Sequence, residues 1–120
     1  MYDSFEKWLD ETLAADIPQE AVALNFNIYE DGDNLWSVEL VATDRFDPID
    51  PDWACDEVFA ARENPFEWEE ETPWLDILEE VVGWVKQYME NGQHSEKMLA
   101  YDGIGTGFVD GDIEILHIKV

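Results

Sequence analysis

Ala21-Val22-Ala23-Leu24-Asn25-Phe26-Asn27-Ile28-Tyr29 and Leu35-Trp36-Ser37-Val38-Glu39-Leu40-Val41-Ala42-Thr43 flank the segment Glu30-Asp31-Gly32-Asp33-Asn34. In the first run Val22, Leu24, Phe26 and Ile28 alternate with Ala23, Asn25 and Asn27. In the second, Trp36, Val38, Leu40 and Ala42 alternate with Ser37, Glu39, Val41 and Thr43. Period two marks strands that bury one face. Asp31-Gly32-Asp33-Asn34 is turn chemistry, so the stretch predicts an antiparallel hairpin.

Helices flank this hairpin. Phe5, Trp8, Leu9 and Leu13 recur at helical spacing and predict a helix over 3–15. Asp3 and Glu6 sit at capping-box spacing, and Ile17-Pro18 closes the segment. The clearest helix spans about 73–91, with Thr72 as N-cap, Pro73 in the first turn and Gly92 as C-cap. Its buried stripe is read as Trp74, Ile77, Leu78, Val81, Val85 and Tyr88. Between the helices, 44–52 holds Pro48 and Pro51 among four Asp and reads as a loop. Trp53 to Ala61 reads as a third strand of ambiguous inward face, which suits an edge position or a half-exposed face. Residues 95–101 form a short helix or connector.

The C-terminal part, 104–119, reads as a second hairpin about a two-residue Asp110-Gly111 turn. Gly103, Gly105 and Gly107 leave its first strand with little side-chain volume, so something is expected to pack closely there. The order α-β-β-β-α-β-β predicts one α+β domain over 1–120: a mostly antiparallel sheet of about five strands carrying two main helices.

Composition narrows the function. The 120 residues carry 30 Asp+Glu against 6 Lys+Arg, a formal charge of -24, yet 46% are hydrophobic and six are Trp. Disordered acidic segments lack such aromatic content, so this is a folded domain with a very acidic surface. The acids divide 16 and 14 between the two halves, which leaves no detached acidic tail. Nucleic-acid affinity comes from cations that displace counterions, so direct nucleic-acid binding is not expected, nor is an anionic membrane surface. No stretch reaches the length of an apolar span. The N-terminus lacks the pattern of a signal peptide, and the expected location is cytoplasmic.

No enzyme signature emerges. The single cysteine, Cys55, reads as a buried small residue, and His94 and His117 as turn and strand residues. Asp31-Gly32-Asp33-Asn34 and Asp110-Gly111-Asp112 depart from the calcium-loop pattern and read as tight turns. Gly103-Ile104-Gly105-Thr106-Gly107 lacks the lysine and helix of a phosphate loop. No catalytic centre, metal or cofactor is expected.

The informative segment is 63–74. Glu63, Glu67, Glu69, Glu70 and Glu71 interleave with Phe66, Trp68 and Trp74, bracketed by Pro65 and Pro73. Either the aromatics anchor a solvated loop to the core, or they are contact anchors inside a carboxylate rim. A second acidic patch holds Asp44, Asp47, Asp50 and Asp52 with Phe46 and Trp53. If the third strand and the second helix are neighbours, both loops form one anionic face.

A compact acidic α+β domain, rich in Trp and without catalytic motifs, resembles the small immunity proteins of bacterial polymorphic toxin systems, including contact-dependent inhibition. Gly107-Phe108-Val109-Asp110-Gly111-Asp112-Ile113-Glu114-Ile115-Leu116 carries the likeness in sequence. The resemblance implies a non-catalytic inhibitor that binds a cognate toxin domain tightly. It transfers no residue roles. A basic toxin domain, with a nuclease as the favoured class, suits the charge. The expected partner-binding residues are Asp47, Asp50, Asp52, Trp53, Glu63, Phe66, Glu67, Trp68, Glu69, Glu70 and Glu71. The rival readings are a DNA mimic that occupies a DNA-binding protein, a general acidic adaptor or small-molecule module, and, last, an enzyme that uses a carboxylate pair with a metal.

Overall fold

The structure, a computed structural model, describes residues 1–119. Its elements are α1 (Tyr2–Leu13), β1 (Ala23–Gly32), β2 (Leu35–Thr43), a 3-10 turn (Pro51–Cys55), β3 (Glu57–Ala60), β4 (Phe66–Glu69), α2 (Trp74–Asn91), α3 (Ser95–Leu99), β5 (Gly103–Phe108) and β6 (Glu114–Ile118). The sheet runs β3-β2-β1-β5-β6, and β4 also pairs with β2. Every pairing is antiparallel except β1 with β5. That parallel pair needs a long crossover, which contains α2 and α3. The α+β architecture is as the sequence implies, with six strands among the described residues where about five are expected.

The hairpin is the spine. Leu24 faces Ala42, Phe26 faces Leu40 and Ile28 faces Val38 across β1 and β2. These side chains, with Trp36, Ile104, Phe66 and Trp68, meet Phe5, Leu9, Leu13, Ile77, Val81, Val85 and Tyr88 of the helices in one core. The turn residue Asn34 has φ 61°, a left-handed conformation that asparagine tolerates.

Residues 62–72 are not simply a loop. Phe66–Glu69 form β4, with Trp68 opposite Trp36 and Phe66 opposite Val38. Three indoles fasten the segment. Trp8 donates to the Asn64 carbonyl at 2.6 Å, Trp36 to the Glu70 carbonyl at 2.9 Å and Trp68 to the Glu70 carboxylate at 3.1 Å. Such partners are what buried indole N–H groups require.

The expected third strand is shorter than 53–61. Pro51 starts the 3-10 turn and Asp50 accepts from the Asp52 amide, which locks the turn. Trp53 then meets Phe46 edge-on at 5.0 Å. Together the two rings cover the sheet face turned away from the helices at Gly103 and Gly105. A methyl group on Gly103 would collide with Phe46, and one on Gly105 would crowd Trp53 and Ile113. The β5 glycines therefore make room for this strap and, at Gly107, for the Asp112 carbonyl.

Helix ends also differ from expectation. No side chain caps α1 or α2. Helix α2 starts at Trp74 because the Pro73 carbonyl already accepts from Asp76 and Ile77, while the Thr72 hydroxyl donates to Glu70 at 2.8 Å. Gly92 sits at the C-cap with extended φ, -71°. Its lack of a Cβ admits the Tyr88 ring, where a methyl would collide. The Asp110-Gly111 turn becomes a five-residue connection, 109–113, with no left-handed glycine.

Candidate functional site

The structure separates the two acidic segments. β2 pairs with β4 over Leu35–Val38 and with β3 over Val41–Thr43. Residues 67–71 therefore lie beside one end of β2, and 44–52 leave its other end. At ~3.3 Å per residue, these strand ends stand about 25 Å apart. The single anionic face that would join the two loops does not form, because each segment meets a different end of the same strand.

The aromatic members of the expected surface are core residues. Trp53 is 1% exposed, and Phe66 and Trp68 are 8% exposed. Phe66 packs edge-on against Phe5 at 5.6 Å, and Trp68 against Trp84 at 5.2 Å. These three side chains anchor their loops and are not free to insert into a partner. Several acids also serve the chain itself. Asp47 accepts from the Ile49 amide at 2.9 Å, and Asp50 caps the 3-10 turn. Glu70 accepts from Trp68 and Thr72. Asp52, Glu63, Glu67, Glu69 and Glu71 remain exposed.

Glu70 has a second role. One carboxylate oxygen of Glu80 is buried with no hydrogen-bond donor beside it. Burial, then the hydrogen bond and charge of Glu70, then the charge of Asp76, push the Glu80 carboxyl up to about 7. Burial acts upward on Glu70 too, but hydrogen bonds with Thr72, Glu80 and Trp68 outweigh it and hold Glu70 low. Of the two carboxyls at the joint between β4 and α2, Glu80 is therefore the one that keeps its proton to higher pH.

Exposed aromatic surface lies elsewhere. Trp74 is 55% exposed and Leu75 57%, so Trp74 does not belong to the buried stripe of α2; Trp84 takes that role. Trp74 and Leu75, with Leu78, form one wall of a groove. Phe108, Val109, Asp110, Gly111 and Asp112 form the other, and Ile28, Tyr29 and Glu30 line its β1 end. The groove encloses about 730 Å³. Val109 is 51% exposed. Phe108 meets Trp74 edge-on at 5.8 Å and Trp36 at 6.1 Å, which gives the exposed Trp74 ring one packed neighbour. Three carboxylates, Glu30, Asp110 and Asp112, line the groove, and among the described residues no lysine or arginine does. Sequence reasoning missed the groove because its parts are 28–30, 74–78 and 108–112. The available signal was Trp74, whose place at the first turn of α2 leaves it beyond the helix-on-sheet contact.

The other sheet face carries a polar chain. Glu39, 6% exposed, accepts from the Tyr29 hydroxyl at 3.1 Å and from Asn27 at 3.4 Å, and pairs with Arg62 at 3.3 Å. Arg62 also pairs with Glu57. Asn25 donates to Asn27 at 2.7 Å. Burial and the Glu39 charge raise the Tyr29 phenol. The adjoining cleft, about 420 Å³, is lined in part by Cys55, Glu57 and Asp112. Cys55 is exposed, contrary to the sequence reading, because the 3-10 turn points it outward while Trp53 goes inward. The cleft lining contains no histidine, lysine or arginine, the groups that activate a nucleophilic thiol.

Among the described residues no three His, Cys, Asp or Glu converge to hold a metal ion. Among the same residues no helix is long and apolar enough to cross a membrane. No family model matches the chain, and neither a curated protein nor a solved structure matches it.

Proposed function

We propose that the chain is a non-catalytic inhibitor, an immunity protein that binds and neutralises a basic toxin domain in the cytoplasm. A nuclease is the favoured toxin class, because a nuclease is itself basic toward its anionic substrate. The observation that carries the reading is the Trp74–Leu75–Val109 groove with its rim of Glu30, Asp110 and Asp112. Exposed aromatic and aliphatic anchors inside a charged rim are the anatomy of a protein-binding surface. A charge of -24 steers a basic partner at long range and repels nucleic acid.

The test is capture from the source organism at low salt and at ~0.5 M salt, where screening shortens to a few Å. The captured protein is identified by mass spectrometry and its activity assayed with and without an equimolar amount of this chain. The expected result is one stoichiometric basic toxin domain, retained at high salt and silenced by the chain. Capture of many DNA-binding proteins, released by duplex DNA, would replace the inhibitor with a DNA mimic. A captured domain that stays fully active would sink the inhibitor reading.

A further inference from the structure

We infer that the groove between the first turns of α2 and the β5–β6 connection seats an amphipathic, basic segment of a protein. Its apolar side chains would lie on Trp74, Leu75 and Val109, and its lysine or arginine heads would reach Glu30, Asp110 and Asp112. The inference rests on the inhibitor reading for the identity of the partner, but the seat itself can be tested without that partner.

Charge and shape select this occupant. The groove is apolar in its walls and acidic at its rim, and no cation lines it. A second copy of the chain would bring the same carboxylates and another charge of -24. An anionic membrane surface is repelled for the same reason. A purely apolar ligand would gain nothing from the rim acids, which are exposed to water. Lysine and arginine satisfy both parts, since their stems cover apolar surface while their heads stay polar. An arginine can also stack on the exposed indole of Trp74. The edge-on contact with Phe108 favours this placement of the indole before any partner arrives, and a favoured placement lowers the ordering cost of binding. At about 730 Å³ the groove holds several side chains, more than a single anchor would fill.

The probe is a 14-residue helix-forming peptide of leucine and lysine with blocked ends, titrated at low salt. A control peptide has glutamate at every lysine position. The expected result is 1:1 binding of the lysine peptide and none of the glutamate peptide. Trp74→Ala should weaken binding about thirtyfold, the loss expected of an aromatic anchor. Asp110→Asn with Asp112→Asn should weaken it and flatten its salt dependence. Glu11→Gln with Glu20→Gln removes the same charge from exposed positions that do not line the groove and should change little. Equal losses in the two double variants, or full binding by Trp74→Ala, would reduce the effect to a general polyanion atmosphere and overturn the seat. Trp74 and Leu75 are more than half exposed, and circular dichroism checks the fold. Leu75→Ala serves as the second anchor variant should Trp74→Ala unfold.

The two readings fail separately. A captured toxin domain that binds Trp74→Ala as tightly as the parent chain would overturn the seat and leave the inhibitor standing. Peptide binding as expected, with no toxin neutralised, would support the seat and remove the inhibitor.

Discussion

Glu80 shows how one side chain converts burial into a pH response. Its carboxyl holds a proton up to about 7 in the folded chain, against an ordinary value of 4.5. The unfolded chain releases that proton near the ordinary value. Between the two, folding takes up a proton, so this contribution to stability falls as pH rises and levels off above about 7. Glu80→Gln keeps a hydrogen-bonding head toward Glu70 and removes the titration. Urea midpoints at pH 5.5 and pH 8 should fall further for the parent than for the variant, and the variant should be the more stable at pH 8. Parallel pH profiles would remove the Glu80 titration from the account. Trp68 is the companion case at this scale. The sequence allowed an exposed anchor or a core residue, and only its pairing opposite Trp36 decided between them.

At the scale of elements, the 44–55 strap and the β5 glycines form one device. The glycines read as a place of close approach from sequence alone. Their occupants, Phe46 and Trp53, were not legible, because the strap crosses from beyond the end of β2 to a strand some fifty residues on. Gly103→Ala places a methyl in the Phe46 ring and should cost about 1–3 kcal/mol, as overpacking does. Gly111→Ala meets only ordinary contacts at 3.6 Å and needs no left-handed backbone, so it should be nearly neutral. Equal denaturant midpoints for the two variants would show that the strap does not depend on these glycines. The helices make a similar point. Tyr88 donates to Asp10 at 2.6 Å and ties α2 to α1, and Lys97 from α3 donates to the Leu13 carbonyl at the end of α1. A lysine at a helix C-terminus satisfies an orphan carbonyl and the dipole together.

For the whole molecule the governing quantity is the charge of -24 on a body with a radius of gyration of 13.3 Å. The screening length is ~30 Å at 0.01 M salt and ~8 Å at 0.15 M. Repulsion across the molecule is therefore strong in the first condition and damped in the second. Raising NaCl across that range should lift the thermal midpoint by about 4 °C, the shift that ~1 kcal/mol produces in a domain near this size. An unchanged or lower midpoint would mean that local ion pairs, such as Arg45 with Asp56 and Arg62 with Glu39, outweigh the general repulsion. The sequence alone determined the α+β class, the central hairpin, the two main helices and the acidity. Each of these depends on periodicity or composition within a short window, where neighbours in sequence are neighbours in space. Tertiary structure decided which aromatics remain on the surface. Phe66 and Trp68 fell to the core when β4 joined β2, whereas Trp74 stayed outside at the start of α2. It also decided that the acidic loops lie apart and that the groove exists at all. Its walls come from β1, α2 and the β5–β6 connection, and contacts between such distant segments arise only when the sheet order is set.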